Sequence, residues 1–185
     1  MLRTVLVGLN GSGFSAAATE CALSLAKQHA AGVLGLGVVD VPRLTRPQPV
    51  PLGGGAFKDE RDAAALKAER EKIAGILASL ETQAQAAGVA CRTIALEGTP
   101  VELLIRESQR ADLLVVGKKH VPHEEWEQSS RTLERLLHQT VRPVLCVPVG
   151  GADLTRVLVA YDGSAQSAKA LQLFVASGLA APREI

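Results

Sequence analysis

Short, continuous apolar runs, each followed by a stretch of helical periodicity, constrain this chain more than anything else in it. The run "TVLVGL" (4–9) is β-branched and closed by turn residues, as a strand buried on both faces must be. The runs "VLGLGVV" (33–39), "VACRTIAL" (89–96), "DLLVVG" (112–117) and "PVLCVPV" (143–149) repeat the theme. Between the first two, Ala18, Cys21, Ala22 and Leu25 fall on one helical face. Ser12 or Ser15 can cap that helix, and Gly32 can close it. Leu66, Ile73, Leu77, Leu80, Ala84 and Ala87 predict a long helix over 59–87, stopped by Gly88. In "TPVE" Thr99 caps, Pro100 takes the first helical position and Glu102 completes a capping box. Thr132, Leu133, Leu136, Leu137 and Thr140 outline a further helix. Residues 42–58, with four prolines and three consecutive glycines, predict a long loop, either a tolerated insertion or a lid. Strands alternating with helices predict a parallel sheet in a doubly wound α/β fold with right-handed crossovers. Ligands of such sheets bind beyond the carboxyl ends of the strands, here the loops 10–15, 40–58, 97–100 and 117–130.

Composition narrows the function classes. Hydrophobic residues make up 47% and charged residues 21%, enough apolar side chain for a packed core. The net charge is +1 with no long run of one sign, which argues against nucleic-acid and anionic-membrane partners. The N-terminal apolar run is broken at Gly8, too early for a secretory signal or a membrane span. Cys21, Cys91 and Cys146 stand singly in apolar surroundings, without metal-ligand spacing, which fits structural thiols of a cytoplasmic protein. His120, His123, Glu124 and Glu125 read as a solvated polar loop, and no metal is expected. No serine–histidine–acid or cysteine–histidine constellation is present, so no enzyme activity is predicted.

The start of the chain recurs near its end. A shift of 152 places Val5, Leu6, Val7, Gly11, Ser12, Ser15, Ala16 and Ala18 on Val157, Leu158, Val159, Gly163, Ser164, Ser167, Ala168 and Ala170, with Asn10 on Asp162. That spacing is about one α/β domain. The expected organisation is one domain over 1–150, then the first strand and helix of a second, incomplete copy over 151–185. Residues 156–179 should form a strand and a helix, with Ala168, Leu171, Val175 and Leu179 on one helical face. Exposed apolar side chains of this kind must dock, and a sheet edge is the expected acceptor: 143–149, or an equivalent element of a partner chain in a swap of 156–179.

The order of "VLVGLNGS", "VVD", "EGTPVELLI" and "ADLLVVG…RTLERLLHQTVRPVLCV", with "VLVAYDGS" as the restart, resembles the universal stress protein family over residues 3–149 and again from 156. The resemblance implies an adenine-nucleotide α-hydrolase-like fold: a five-stranded parallel sheet ordered 3-2-1-4-5. It also implies stress response, a homodimer through the last strand (143–149), and, in many members, tandem repeats and an ATP site. The implied site comprises Asn10, Gly11 and Ser12 after the first strand, Val38 at the end of the second, and Gly117, His120, Ser130 and Arg131. The ATP-binding branch carries G-x2-G-x9-G-[ST] after the fourth strand, because glycines let backbone N–H groups approach phosphate oxygens at a helix N-terminus. At that spacing only Gly117 is a glycine here. His120 and Ser130 hold the next two glycine positions, Arg131 the last, and Asn10 replaces an aspartate.

Two readings stay open at the 117–131 loop. In one, Lys118, Lys119, His120 and Arg131 supply cationic contacts and ATP still binds. In the other, the nucleotide site is degenerate, no cofactor is held, and the domain is a dimeric regulatory or interaction module. Cβ atoms at 120 and 130, together with Glu124, Glu125 and Glu127, favour the second. A third reading takes "GSGFSA" (11–16) as a dinucleotide fingerprint with Asp40 on the ribose, but Asp40 lies 29 residues beyond Gly11 rather than about 20.

Overall fold

The computed structural model describes residues 1–10, 13–49, 55–118, 126–151 and 155–180, with side chains except at 13 and 126–132. In chain order the elements are β1 (Thr4–Leu9), α1 (Gly13–His29), β2 (Gly32–Val39), α2 (Val41–Leu44), α3 (Gly55–Ala87), β3 (Cys91–Glu97), α4 (Pro100–Ser108), β4 (Leu113–Lys118), α5 (Trp126–Gln139), β5 (Val144–Pro148) and α6 (Ala165–Ala176). The five strands form one all-parallel sheet ordered β3-β2-β1-β4-β5. Its centre is β1 and its edges are β3 and β5, as expected from the sequence. The register between β1 and β4 is fixed at the N-terminal end, where the Arg3 and Thr4 N–H groups both donate to Asp112 Oδ2 (2.8 and 3.0 Å).

Alternate residues of each strand face opposite layers. Val5, Val7, Val33, Val39, Leu113 and Val115 meet α1 and α3 in the larger core. Leu6, Leu36 and Leu114 meet Leu104, Ile105, Leu133 and Leu136 of α4 and α5 in the smaller one. The glycines of β2 serve this packing. A Cβ at Gly35 would lie 2.3 Å from Leu80 Cδ2 and one at Gly37 2.5 Å from Ile73 Cγ2, so α3 seats its stripe directly on the strand.

Several local expectations are corrected. The 42–58 loop is partly helical: α2 occupies Val41–Leu44, and α3 starts at Gly55, earlier than predicted. Residues 50–54 of that loop lie outside the described residues. Helix α1 is closed by Ala30, at φ 51°, with Ala31 N–H donating to Ala26 O (2.8 Å); Gly32 already belongs to β2. Glu102 forms no capping box. Thr99 makes no side-chain cap bond, and the Glu102 carboxylate accepts instead from Arg135 Nη2 of α5 at 3.0 Å. Sequence periodicity also gave no hint of Asp62, which is only 7% exposed on α3 and is gripped by Lys58 and Arg61. These hydrogen bonds hold its carboxyl below the usual range, Lys58 contributing most.

The C-terminal segment forms one of its two expected elements. Helix α6 is present, but residues 157–160 carry no strand, with a single bridging residue at Arg156. Among the described residues no strand lies beyond β5, and the segment over 155–180 does not extend the sheet. It touches the domain at the turn after α6: Leu179 packs against the larger core, and the Met1 amine donates to Ala176 O (2.6 Å).

Candidate functional site

The sheet reverses its winding between β1 and β4, where α1 leaves on one face and α5 on the other. A cleft of about 820 Å³ opens there, at the carboxyl ends of β1, β2 and β4. Its floor is apolar: Gly8, Leu36, Val38, Val116, Leu104 and Leu133. The backbone must be bare at Gly8, because a Cβ would stand 2.9 Å from Leu104 Cδ2.

Polar groups gather at the mouth. Asn10 is exposed, and its N–H donates to Ser15 Oγ (3.3 Å), tying the end of β1 to the first turn of α1. Asp40 caps α2, accepting from Arg43 N–H (3.1 Å), with Arg43 Nε 3.7 Å from its other oxygen. That carboxylate is engaged with its own helix while lining the cleft. Lys72 pairs with Glu69 at 3.2 Å on α3. Lys118 is exposed at the end of β4. Cys146 lines the cleft from β5; burial pushes its thiol up, and the Lys118 charge opposes this. Arg70, next to Glu69 of the cleft lining, makes a bidentate pair with Glu97 (2.7 and 3.1 Å), which holds the Glu97 carboxyl below its ordinary range.

Of the residues predicted for the site, Asn10, Val38 and Gly117 are brought together along this cleft. Gly11, Ser12 and His120 lie outside the described residues, as do His123, Glu124 and Glu125. Ser130 and Arg131 fall inside α5, which begins at Trp126, rather than at the junction of loop and helix, and their side chains are not described. Gly117 has a reason to be glycine that involves no ligand. A Cβ there would lie 2.3 Å from the carbonyl oxygen of Phe14, so β4 and the start of α1 could not pack. Phe14, Arg43, Lys72 and Leu104 also reach the cleft, though none was predicted for the site; the crossing of α1, α2, α3 and α4 over the sheet puts them there. Among the described residues no group of three or more His, Cys, Asp or Glu could hold a metal ion, and no helix is long and apolar enough to cross a membrane.

A sequence profile described as the universal stress protein family matches residues 1–148. The chain belongs to the universal stress protein family. Solved structures of the family carry the same fold. A universal stress protein family member from Burkholderia pseudomallei is 27% identical with a TM-score of 0.60, covering 78% of this chain and 95% of its own. A universal stress protein in complex with cAMP is 22% identical with a TM-score of 0.58, covering 80% and 98%. A family protein from Arabidopsis thaliana with AMP bound is 20% identical with a TM-score of 0.54, covering 83% and 95%. No curated protein sequence matches. For this family member, the sheet order agrees with what the resemblance implied.

Proposed function

We propose that this universal stress protein is a non-catalytic stress-response module that works by self-association and partner binding, with a degenerate nucleotide site. The observation that carries the reading is the state of the glycine pattern. The one retained glycine, Gly117, is required by its packing on Phe14, while the other glycine positions are His120 and Ser130. Residue 130 is the fifth of α5, where an N–H is already spent on the helix's first carbonyl and is not free for a phosphate. Self-association runs through the β5 edge within 143–149, which has no further strand beside it among the described residues and carries no charged residue to blunt it. In this reading residues 151–185 are the start of a second copy of the same unit, the tandem type, and the cytoplasm is its compartment, a reading the isolated cysteines support.

A second reading has a specific observation behind it. Relatives of the same fold were solved with cAMP and with AMP, and this chain has an apolar-floored cleft at the carboxyl ends of its strands, with Lys118 at the mouth. In that reading adenine nucleotides bind through cationic side chains, Lys118 and Arg131 among them. Equilibrium dialysis with radiolabelled ATP, AMP and cAMP decides between the two. The degenerate site predicts no saturable binding below about millimolar. A Kd of about a micromolar or tighter, weakened by Arg131→Ala, establishes the second reading and overturns the first.

A further inference from the structure

The two ends of the sheet handle charge differently. Around the cleft, at the carboxyl end, three cations are paired: Arg43 with Asp40, Lys72 with Glu69 and Arg70 with Glu97. At the amino end the turns that precede β1, β4 and β5 carry Arg3, Arg110 and Arg142, and the last turn of α4 adds Arg106. The three strands are neighbours in the sheet, so these turns, far apart along the chain, meet within about 10 Å at one pole. All four arginines are exposed. Two carboxylates lie among them, both engaged from within. Glu107, with a side chain only 5% exposed, is held by Arg106 Nε and Arg110 Nη1 at 3.0 Å each. Asp112 accepts the backbone N–H groups of Arg3 and Thr4 (2.8 and 3.0 Å). Neither Arg3 nor Arg142 makes an ion pair among the described residues, which leaves the pole with an excess of positive charge.

A helix C-terminus draws cations by itself, and this accounts for part of the cluster. Arg106 lies in the last turn of α4, and Arg142 Nη2 donates to the carbonyl of its C-cap, Gln109, at 3.1 Å. That bond takes one of the five N–H donors of Arg142, and the Arg3 side chain serves no helix end. The turns are tied together beneath the charges. Ser108, fully buried, shares a hydrogen bond with Thr140 (3.1 Å), whose Oγ1 also accepts from Arg142 N–H (3.3 Å). A guanidinium on such a frame can take a carboxylate through two parallel bonds. Nucleic acid asks for more cations and for aromatic stacking platforms, and residues 1–3, 109–112 and 140–143 include no aromatic side chain. We propose that this pole docks an acidic segment of another protein, whose carboxylates pair with Arg3 and Arg142. This rests on the partner-binding reading above, names the partner's chemistry, and stands apart from that reading's self-association and nucleotide arms.

The probe is a fluorescein-labelled octaglutamate peptide, titrated with the 185-residue chain and read by fluorescence anisotropy at low and at high ionic strength, with light scattering on the same samples. The expected result is saturable binding that salt weakens. Arg3→Gln with Arg142→Gln should weaken it about five- to tenfold. Arg46→Gln with Lys67→Gln, which removes the same charge from exposed positions outside the pole, should leave it within about twofold. Far-UV circular dichroism and the urea midpoint check the fold of each variant. Arg3→Gln alone, which breaks no side-chain bond among the described residues, should cost about twofold and keeps the test open if the double variant is unstable. Absence of saturable octaglutamate binding overturns the proposal. So does an equal loss in both double variants, because net charge rather than the pole then governs binding. A DNA octamer that binds more tightly than octaglutamate, and loses affinity with Arg3 and Arg142, also overturns it and assigns the pole to nucleic acid. A monomeric parent that binds octaglutamate through these arginines supports the pole and overturns only the self-association above.

Discussion

Residues 4–24 and 156–176 carry one motif in two settings, with eight identical positions among the twenty-one aligned. The shift of 152 carries the first residue of α1, Gly13, onto the first residue of α6, Ala165 (13 + 152 = 165). Both copies form the helix, and only the first forms the strand. Leu6 is fully buried, while its counterpart Leu158 is almost fully exposed. Helix α6 forms although none of its residues is buried, because its bonds are local and its start is capped: Ser164 Oγ accepts from Ser167 N–H at 3.1 Å. Helix α1 adds Ala18, Ala22, Leu25 and Ala26 to the core. A strand has no such local support. Its hydrogen bonds belong to its neighbours, and with no strand beside it among the described residues the same Val-Leu-Val forms no strand.

The sharpest way to break this comparison is to truncate the matched leucines. Leu6→Ala should lower stability by about 2–5 kcal/mol, read as a drop in the urea midpoint. Leu158→Ala, measured at a dilution where the chain is monomeric, should change it by no more than about 0.5 kcal/mol. A comparable loss at both positions would mean that 157–161 is packed in the monomer. Next in size is the helix start. Gly117→Ala should cost about 1–3 kcal/mol by driving a Cβ into the Phe14 carbonyl. Gly163, before α6, has φ +81° and no atom within 4 Å of a Cβ. There Gly163→Ala should cost only about 1 kcal/mol of backbone strain, seen as faster amide exchange in α6 with the urea midpoint unmoved.

Ser164→Ala removes the cap and should loosen α6 by about 1 kcal/mol. Amide exchange over Ala165–Ala176 measures it, again without a shift in global unfolding. The smallest effect is a titration that only the second copy possesses. Hydrogen bonds to Asp162, first from the Ser164 side chain and then from the Ser164 backbone and Ser167, lower its pKa from 3.8 to about 2. A depressed carboxyl stabilises the folded form above the unfolded pKa and loses that contribution as pH falls through the folded one. Protection of the first turn of α6 should therefore decline from about pH 4 to pH 2. Asp162→Asn, which copies Asn10 of the first unit, should abolish that dependence, and persistence of the decline would place the titration elsewhere.

Much of the fold was legible because its signals are local or periodic. The apolar runs marked all five strands, and the stripe Ile73–Leu77–Leu80–Ala84 named the buried face of α3. The candidate site was legible only in part. Asn10, Val38 and Gly117 could be placed at strand ends because strand ends are where such sheets bind. Phe14, Arg43, Lys72 and Leu104 could not, since nothing in their spacing says which helix will cross the cleft. Glu102 shows how a local rule loses. Its spacing after Thr99 suits a capping box, but Arg135 on another helix offered a charged partner at 3.0 Å. Asp40 shows the converse, where a residue considered for a ligand went to the nearest helix cap.

By itself the sequence determined the strand–helix alternation, the long helix ended by Gly88 and the repeated unit with its capped second helix. Each depends on propensity, periodicity or a capping bond within a few residues. Tertiary structure alone decided that one Val-Leu-Val is the centre of a sheet and the other is not. It also decided that Gly117 must lack a side chain because Phe14 lies against it, and that Asp62 is buried between Lys58 and Arg61. These outcomes depend on which surfaces meet across tens of residues, and such contacts are set by the packing of whole elements, which no short stretch of sequence encodes.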